Sequence, residues 1–251
     1  MRRCAVGLAL LAASSTWLAA QPAQVRVVAS TAWTAAFART AGITEVRVLA
    51  PYEMKHPPEY ELRPSDVAIV AAADLVIYAG YERSVPRLVE AAGGKAQVLL
   101  KVTTDHSLAT IRQSVMAIAR AAGTEAAATA NLAAVEALYA EWKRELAAQG
   151  LLDAPILVHA MHRPLAAELG FRFEGVFGPG SLEAAQIRDL SRKSVRVVID
   201  NAHDPVAAPL RETLKSARFV ELINFPPSAR LGTLVDLLAE DRVRLRAVLA
   251  P

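Results

Sequence analysis

The chain has 251 residues, of which 53% are hydrophobic and 21% are charged. This balance is typical of one large or two small globular domains and excludes a disordered or collagen-like chain. The 28 basic and 25 acidic residues nearly cancel, so the charge gives no sign of nucleic-acid binding. Cys4 is the one cysteine in the sequence, and a metal site in the rest of the chain must therefore use histidines and carboxylates.

Residues 1–23 have the tripartite form of a secretory signal peptide. Arg2 and Arg3 precede an apolar run, and small residues stand before Gln24. The run is short for a membrane span and is interrupted by hydroxyl residues at 14–16. We therefore expect cleavage of this segment, with loss of Cys4, and a periplasmic location for the mature protein.

The next part of the chain predicts alternating strands and helices. β-Branched runs separated by Ala- and Leu-rich stretches are typical of βα units around a parallel sheet. Strands are predicted at 25–29, 45–49, 74–78 and 97–102, with helices starting near residues 31, 65 and 84. We assign residues 24–122 to an N-terminal α/β lobe.

A long helical region interrupts this alternation. One helix is predicted from Ser107 to about residue 122, and a second from the N-cap Thr124 to Gly150. In the second helix the apolar residues recur at steps of three and four: Leu132, Val135, Tyr139, Trp142 and Leu146. One apolar face along its whole length predicts a linker helix over 123–150 rather than a loop.

After the linker the strand and helix alternation resumes. Strands are predicted at 156–159, 171–177, 195–200 and 219–223, and helices start near residues 164, 181, 205 and 231. Residues 151–251 then form a C-terminal α/β lobe. The predicted architecture is α/β, with two lobes that each hold a four-stranded, mostly parallel sheet flanked by helices and are joined by the long helix.

All five histidines follow the ends of predicted strands: His56, His106, His159, His162 and His203. Ligands of parallel sheets bind outside the carboxyl ends of the strands. Two of the five come from the first lobe and three from the second, so the histidines are expected to meet in the cleft between the lobes. Neutral imidazoles from several loops suit a tetrahedral zinc ion, although each histidine alone could equally be a structural residue.

Three segments resemble the zinc- and manganese-binding solute-binding proteins of ABC importers. They are HPPEYELRPSDVAIVAAADLVIYAGYE, TTDHSLATIRQSVMAIARA and LVHAMHRPLAAELGF. The resemblance implies a rigid pair of lobes, a metal ion held between them, and delivery of the ion to a membrane permease. Matched position by position, it implies that His56, His106 and His159 are metal ligands.

The fourth ligand departs from the family pattern. The family usually has a carboxylate after the last strand, where this chain has Asn224. We therefore predict His203 as the fourth ligand, with Asp200 as the rival, and regard His162 as the histidine least expected to bind metal. Zinc is the expected ion, and manganese becomes an alternative if a carboxylate replaces one imidazole.

Two functions are consistent with a histidine site in an exported protein. The favoured one is a monomeric periplasmic metal receptor that is not an enzyme and serves an ABC transporter permease. The alternative is an exported zinc-dependent hydrolase with a three-histidine site, in which Glu59 or Asp200 would activate water. No further catalytic constellation accompanies the histidines in the sequence.

Overall fold

The structure is a computed structural model that describes residues 25–82, 84–91, 93 and 98–249. The predicted signal peptide lies outside the described residues. The first sheet contains β1 (Val27–Ala29), β2 (Val46–Val48), β3 (Leu75–Tyr78) and β4 (Val98–Lys101). Its strand order is β2-β1-β3-β4, and every pairing is parallel.

The second sheet repeats this arrangement. It contains β5 (Pro155–His159), β6 (Arg172–Phe177), β7 (Val197–Asn201) and β8 (Arg218–Leu222), in the order β6-β5-β7-β8. All of its pairings are parallel as well. The two sheets confirm the predicted fold class, and each of the eight predicted strands is present with its ends shifted by at most two residues.

Helices flank both sheets. Those of the first half are α1 (Ala32–Thr40), α2 (Pro64–Ala71), α3 (Val85–Ala91) and α4 (Leu108–Ala122). The linker is α5 (Glu125–Ala148), and the second half has α6 (Arg163–Leu169), α7 (Ala184–Ser191), α8 (Ala208–Thr213) and α9 (Leu234–Leu249). Along the described residues, no helix is both long and apolar enough to cross a membrane.

Three helices begin about three residues later than predicted. Those predicted near residues 181 and 231 begin at Ala184 and Leu234. The sequence Asp204–Pro205 predicted a helix from about residue 205, but α8 begins at Ala208. The buried carboxylate of Asp200 explains the delay, because it accepts hydrogen bonds from the backbone N–H groups of Val206 (3.3 Å) and Ala207 (2.8 Å). These bonds hold the segment after β7 as a loop, and His203 lies in this loop.

The linker helix packs as its apolar face predicted. Its five stripe residues are all buried, in a core cluster that also contains residues from both sheets. Polar contacts reinforce this core: Leu234 at the start of α9 donates its backbone N–H to Thr40 of α1 (3.0 Å), and Arg242 forms ion pairs with Glu141 and Glu145 of α5. Helices α1, α5 and α9 therefore join the two lobes through one continuous core.

A buried carboxylate on α9 holds the end of the last strand. Oδ1 of Asp241 accepts the backbone N–H of Ile223 at 2.7 Å, while its Oδ2 has no hydrogen-bond partner. Burial raises the pKa of Asp241 well above its usual value, so the folded protein favours the neutral acid. This bond positions the backbone directly before Asn224 and Phe225, which face the cleft described below.

We predict that Asp241→Asn stabilises the protein relative to the parent as the pH rises. The folded parent retains a proton that the unfolded chain releases above its pKa of about 3.9, so the parent loses stability with rising pH, by at most about 1.4 kcal/mol per pH unit. The neutral amide of the variant removes this loss. Thermal unfolding at pH 5 and pH 8 measures the difference.

The exposed Asp236 on the same helix provides the control. The variant Asp236→Asn is expected to follow the pH dependence of the parent. If the stability of Asp241→Asn changes between pH 5 and pH 8 by the same amount as that of the parent, Asp241 is not a buried neutral acid in the parent.

Candidate metal centre

The five histidines lie between the lobes, near the carboxyl ends of the strands. His56 follows β2 and His106 precedes α4, both in the first lobe. His159 ends β5, His162 lies in the 3₁₀ turn after it, and His203 follows β7. His106, His159 and His162 are buried, His203 is half-buried and His56 is exposed. The histidines were predicted to meet in the cleft between the lobes, and the structure places His56, His159 and His203 in the cleft lining, whereas His106 and His162 lie behind it.

A cleft of about 290 Å³ opens between the lobes at this place. Its polar lining comes from both lobes and includes His56, His159, His203, Asn201, Asn224 and Asp204. The amide Oδ1 of Asn224 is buried without a hydrogen-bond partner. An amide oxygen is a weaker zinc ligand than an imidazole, because zinc sites favour nitrogen, sulfur and carboxylate donors.

His106 and His162 form a stacked pair behind the cleft wall. Their ring centroids are 5.8 Å apart with an interplanar angle of 14°, and none of their four ring nitrogens makes a hydrogen bond. Burial lowers the pKa of His106 to about 4 and that of His162 well below its usual value. Asn201 and Leu222 approach the His162 ring and oppose this shift without reaching hydrogen-bonding geometry. Both rings are neutral at pH 7, the state that metal binding requires.

The backbone of His106 is fixed while its ring stays without partners. Tyr139 on the linker helix donates its hydroxyl to the carbonyl of His106 at 2.6 Å. Asp105, which could have bonded the ring, accepts instead from the backbone N–H of Ser107 (2.8 Å) and the hydroxyl of Thr110 (3.1 Å). The carboxylate thus holds Ser107, the N-cap of α4, and leaves the imidazole without a partner.

His159 has one nitrogen engaged and one without a partner. Its Nδ1 accepts the backbone N–H of Met161 at 3.2 Å, and its Nε2 is buried with no hydrogen bond. Burial lowers the pKa of His159, partly opposed by Asp200 and Asp204. Because Nδ1 is an acceptor, the proton of the neutral ring is assigned to Nε2. A metal ion at Nε2 must displace that proton.

Gly178 lies directly over the His159 ring. It has a positive φ of +68°, and a Cβ placed on it would lie 2.3 Å from Nε2 of His159. A side chain at this position would therefore collide with the imidazole. The absence of a Cβ leaves His159 room beside the backbone that follows β6.

His203 and His56 meet across the mouth of the cleft. Their ring centroids are 5.7 Å apart at an angle of 81°, and Nε2 of His203 is buried without a partner. The other close neighbour of His203 is the ring of Phe225, at 4.7 Å. Burial, followed by the nearby His56, lowers the pKa of His203. The pair joins the first lobe to the second.

Asp200 is not free to act as a ligand or base. Besides Val206 and Ala207, it accepts the backbone N–H of Asn201 at 2.9 Å. Its two oxygens are thus both hydrogen-bonded to backbone donors. The structure therefore gives no support to Asp200 as the water-activating carboxylate of a hydrolase.

The histidines do not form one compact site as they stand. Among the described residues, no group of three or more His, Cys, Asp or Glu side chains is arranged to hold a single metal ion. His162, the histidine least expected to bind metal from the sequence, is fully buried beside His106 with both nitrogens unpartnered. The sequence feature that could have indicated this burial is the position of His162, three residues after His159, in the turn that follows β5.

Comparison with known proteins identifies a related family for the first lobe. Residues 27–117 match the family model of ZnuA, the periplasmic component A of the zinc-uptake complex. This confirms the predicted resemblance to metal-binding solute-binding proteins of ABC importers. No curated protein gives a significant match to the sequence.

Solved structures share the fold of nearly the whole chain. The metal-dependent lipoprotein YcdH of Bacillus subtilis is 18% identical with a TM-score of 0.67, over 90% of this chain and 100% of that one. FpvC of Pseudomonas aeruginosa, solved with Ni²⁺, is 19% identical with a TM-score of 0.67, over 90% and 97%. Zn(II)-bound AdcA of Streptococcus pneumoniae is 17% identical with a TM-score of 0.63, over 90% of this chain and 58% of AdcA.

These findings agree on the class of protein. The family match is to a component of a zinc-uptake complex, and the solved structures share the fold of the chain. The predicted fold is confirmed.

We predict that Gly178→Ala weakens zinc binding. The added methyl group collides with the His159 ring, and the positive φ costs about 1–2 kcal/mol of folding stability for a residue with a Cβ. Gly180→Ala is the matched control, since Gly180 has a φ of +92° and nothing within 4 Å of an added Cβ. Both variants should lose stability, and only Gly178→Ala should also lose zinc affinity in a calorimetric titration.

Equal zinc affinities of the two variants would show that the Gly178 contact does not matter for the His159 ring. The ring resonances of His159 in NMR spectra of the metal-free protein provide a second measurement. They should shift in Gly178→Ala and remain at their parent positions in Gly180→Ala.

Proposed function

We propose that this chain is the periplasmic metal receptor of an ABC importer, which captures a divalent ion between its two lobes and delivers it to a permease. The observation that carries this proposal is the set of buried imidazole nitrogens without partners at the lobe junction. A buried polar group without a hydrogen bond costs about 1–3 kcal/mol. Metal coordination supplies the missing partners and uses the neutral form that burial favours.

The proposed ligands are imidazoles from both lobes. The four predicted from the sequence are His56, His106, His159 and His203, and we add His162 because it shares the burial and the free nitrogens of His106. Side-chain rotation is needed for binding, since no three of these side chains, among the described residues, are arranged to hold one ion. The ion would thus be bound by residues of both lobes. One lies before α4 in the first lobe, and the others lie at the end of β5, after β5 and after β7 in the second lobe.

The ion that fits this donor set best is zinc. Imidazole nitrogens at roughly 2.0–2.1 Å are usual zinc ligands, whereas manganese prefers carboxylate and water oxygens. The position that carries a carboxylate in the family is the neutral Asn224. We also propose that the mature receptor is a monomer, since each lobe has its own sheet and the shared core is completed within one chain.

We predict that the protein purified without a chelator or an affinity tag contains bound zinc and that zinc raises its melting temperature. Binding to the folded state alone should add roughly 2.7 kcal/mol of stability at a free zinc concentration 100 times the dissociation constant. Elemental analysis and thermal unfolding in the presence and absence of zinc are the measurements. A folded apo protein is expected, because the continuous core across both lobes forms without the ion.

Competition with manganese tests the choice of ion. The imidazole donor set should retain zinc in a large excess of manganese, as read by elemental analysis after dialysis. A protein that retains manganese instead would indicate an oxygen ligand in the site. A melting temperature indifferent to every divalent ion would contradict the receptor function itself.

A further inference from the structure

Two residues of the cleft lining carry hydrogen-bond donors that have no partner. The indole Nε1 of Trp33 and the hydroxyl of Thr104 are buried without a hydrogen bond, and both residues line the cleft from the first lobe. The indole N–H is a donor only, and a metal cation accepts no hydrogen bond. A bare ion in the cleft therefore leaves the indole of Trp33 without a partner.

These donors lie where a negative charge is favoured. Trp33 belongs to the first turn of α1, which contains no acidic residue, and the positive end of a helix dipole stabilises anions. Thr104 follows β4, and the hydroxyl of Tyr81 approaches it without reaching hydrogen-bonding geometry. A carboxylate oxygen is the acceptor that suits donors in this position.

The cleft is also large and apolar for the capture of one ion. Its volume of about 290 Å³ is about ten times the 30 Å³ or so that a water molecule occupies in the liquid. Much of its wall is formed by apolar and aromatic side chains: Pro58, Tyr81, Met161, Pro179 and Phe225. Apolar walls with a few placed polar groups are typical of sites for small organic ligands.

The charges of the cleft favour an organic ligand that arrives with the ion. Glu59 and Asp204 line the cleft, and no Lys or Arg of the described residues does. These carboxylates disfavour a free anion, whereas zinc bound to one singly charged carboxylate chelator remains positive overall. Since no three His, Cys, Asp or Glu side chains of the described part of the chain are arranged around one ion, a chelator can fill coordination positions that the side chains do not.

Resting on the receptor function above, we propose that the cleft takes the ion as a complex with a small chelator that bears a carboxylate. Imidazoles of the cleft bind the ion. The carboxylate of the chelator accepts hydrogen bonds from Trp33 and Thr104, and its organic part packs against the apolar wall. The cargo of the receptor is then a metal chelate rather than a bare ion.

Equilibrium dialysis of the full mature chain against zinc with either L-histidine or histamine tests this proposal. Histamine offers zinc the same imidazole and amine but lacks the carboxylate. Retained zinc and retained chelator are measured separately, and the parent is expected to retain zinc and histidine in equal amounts. Trp33→Phe and Thr104→Val each remove one donor and keep a side chain of similar shape. Each should lower the ratio of retained histidine to retained histamine about tenfold, because a hydrogen bond to a charged group is lost.

Thr103→Val is the matched control. Thr103 is exposed and lies outside the cleft lining, so this variant should keep the ratio of the parent. The equilibria between zinc and the two chelators in solution are the same for every variant, and a change in the ratio therefore reports the protein. If Trp33→Phe does not fold, Thr104→Val and the parent decide the question.

The possible failures are distinguishable. A parent that retains zinc but neither chelator overturns the chelate proposal and leaves the receptor function in place. A ratio that is unchanged in both donor variants overturns the carboxylate site at Trp33 and Thr104. A parent that retains no zinc, with or without a chelator, contradicts the receptor function itself.

Discussion

Four imidazole nitrogens of His106 and His162 are buried at the lobe junction without a hydrogen-bond partner. A folded protein tolerates such groups only where other interactions offset their cost, which is about 1–3 kcal/mol for each group. The compensation here comes from the continuous core that α1, α5 and α9 build across both lobes. The same helices hold the lobes at a fixed separation, so the imidazoles cannot move away into water.

This shared core bears on how the proposed receptor would work. A protein whose lobes meet only at a hinge can close around its ligand by a large rotation. Here α5 buries its apolar face in a cluster that includes both sheets, and Arg242 of α9 is paired with two glutamates of α5. We therefore expect ion binding to act through side-chain rotation and small loop movements around His203 and Phe225. The ion-bound protein would differ from the ion-free protein mainly at the mouth of the cleft.

The sequence predicted the sheets well because their signals are local. β-Branched runs and the spacing of apolar residues in the linker depend on neighbouring residues alone, and they identified all eight strands and the buried face of α5. The start of α8 was wrong because Asp200, six residues before Val206, captures backbone donors that a local helix signal does not take into account. The histidines could be placed at the strand ends, but the contacts of their rings with Trp33 and Phe225 form only in the folded chain. The burial of His162 beside His106 could not be predicted for the same reason, since it is a tertiary contact across 56 positions of sequence.

The tautomer of His159 connects metal coordination to the backbone turn that follows β5. Its Nδ1 accepts the N–H of Met161 in the turn that carries His162, and its Nε2 lies beneath Gly178. Coordination through Nε2 leaves Nδ1 either as an acceptor, with release of the ring proton, or as a donor that breaks the bond to Met161. That bond lies in the turn that carries His162. The tautomer that His159 adopts on coordination therefore decides whether this turn keeps its hydrogen bond to the imidazole.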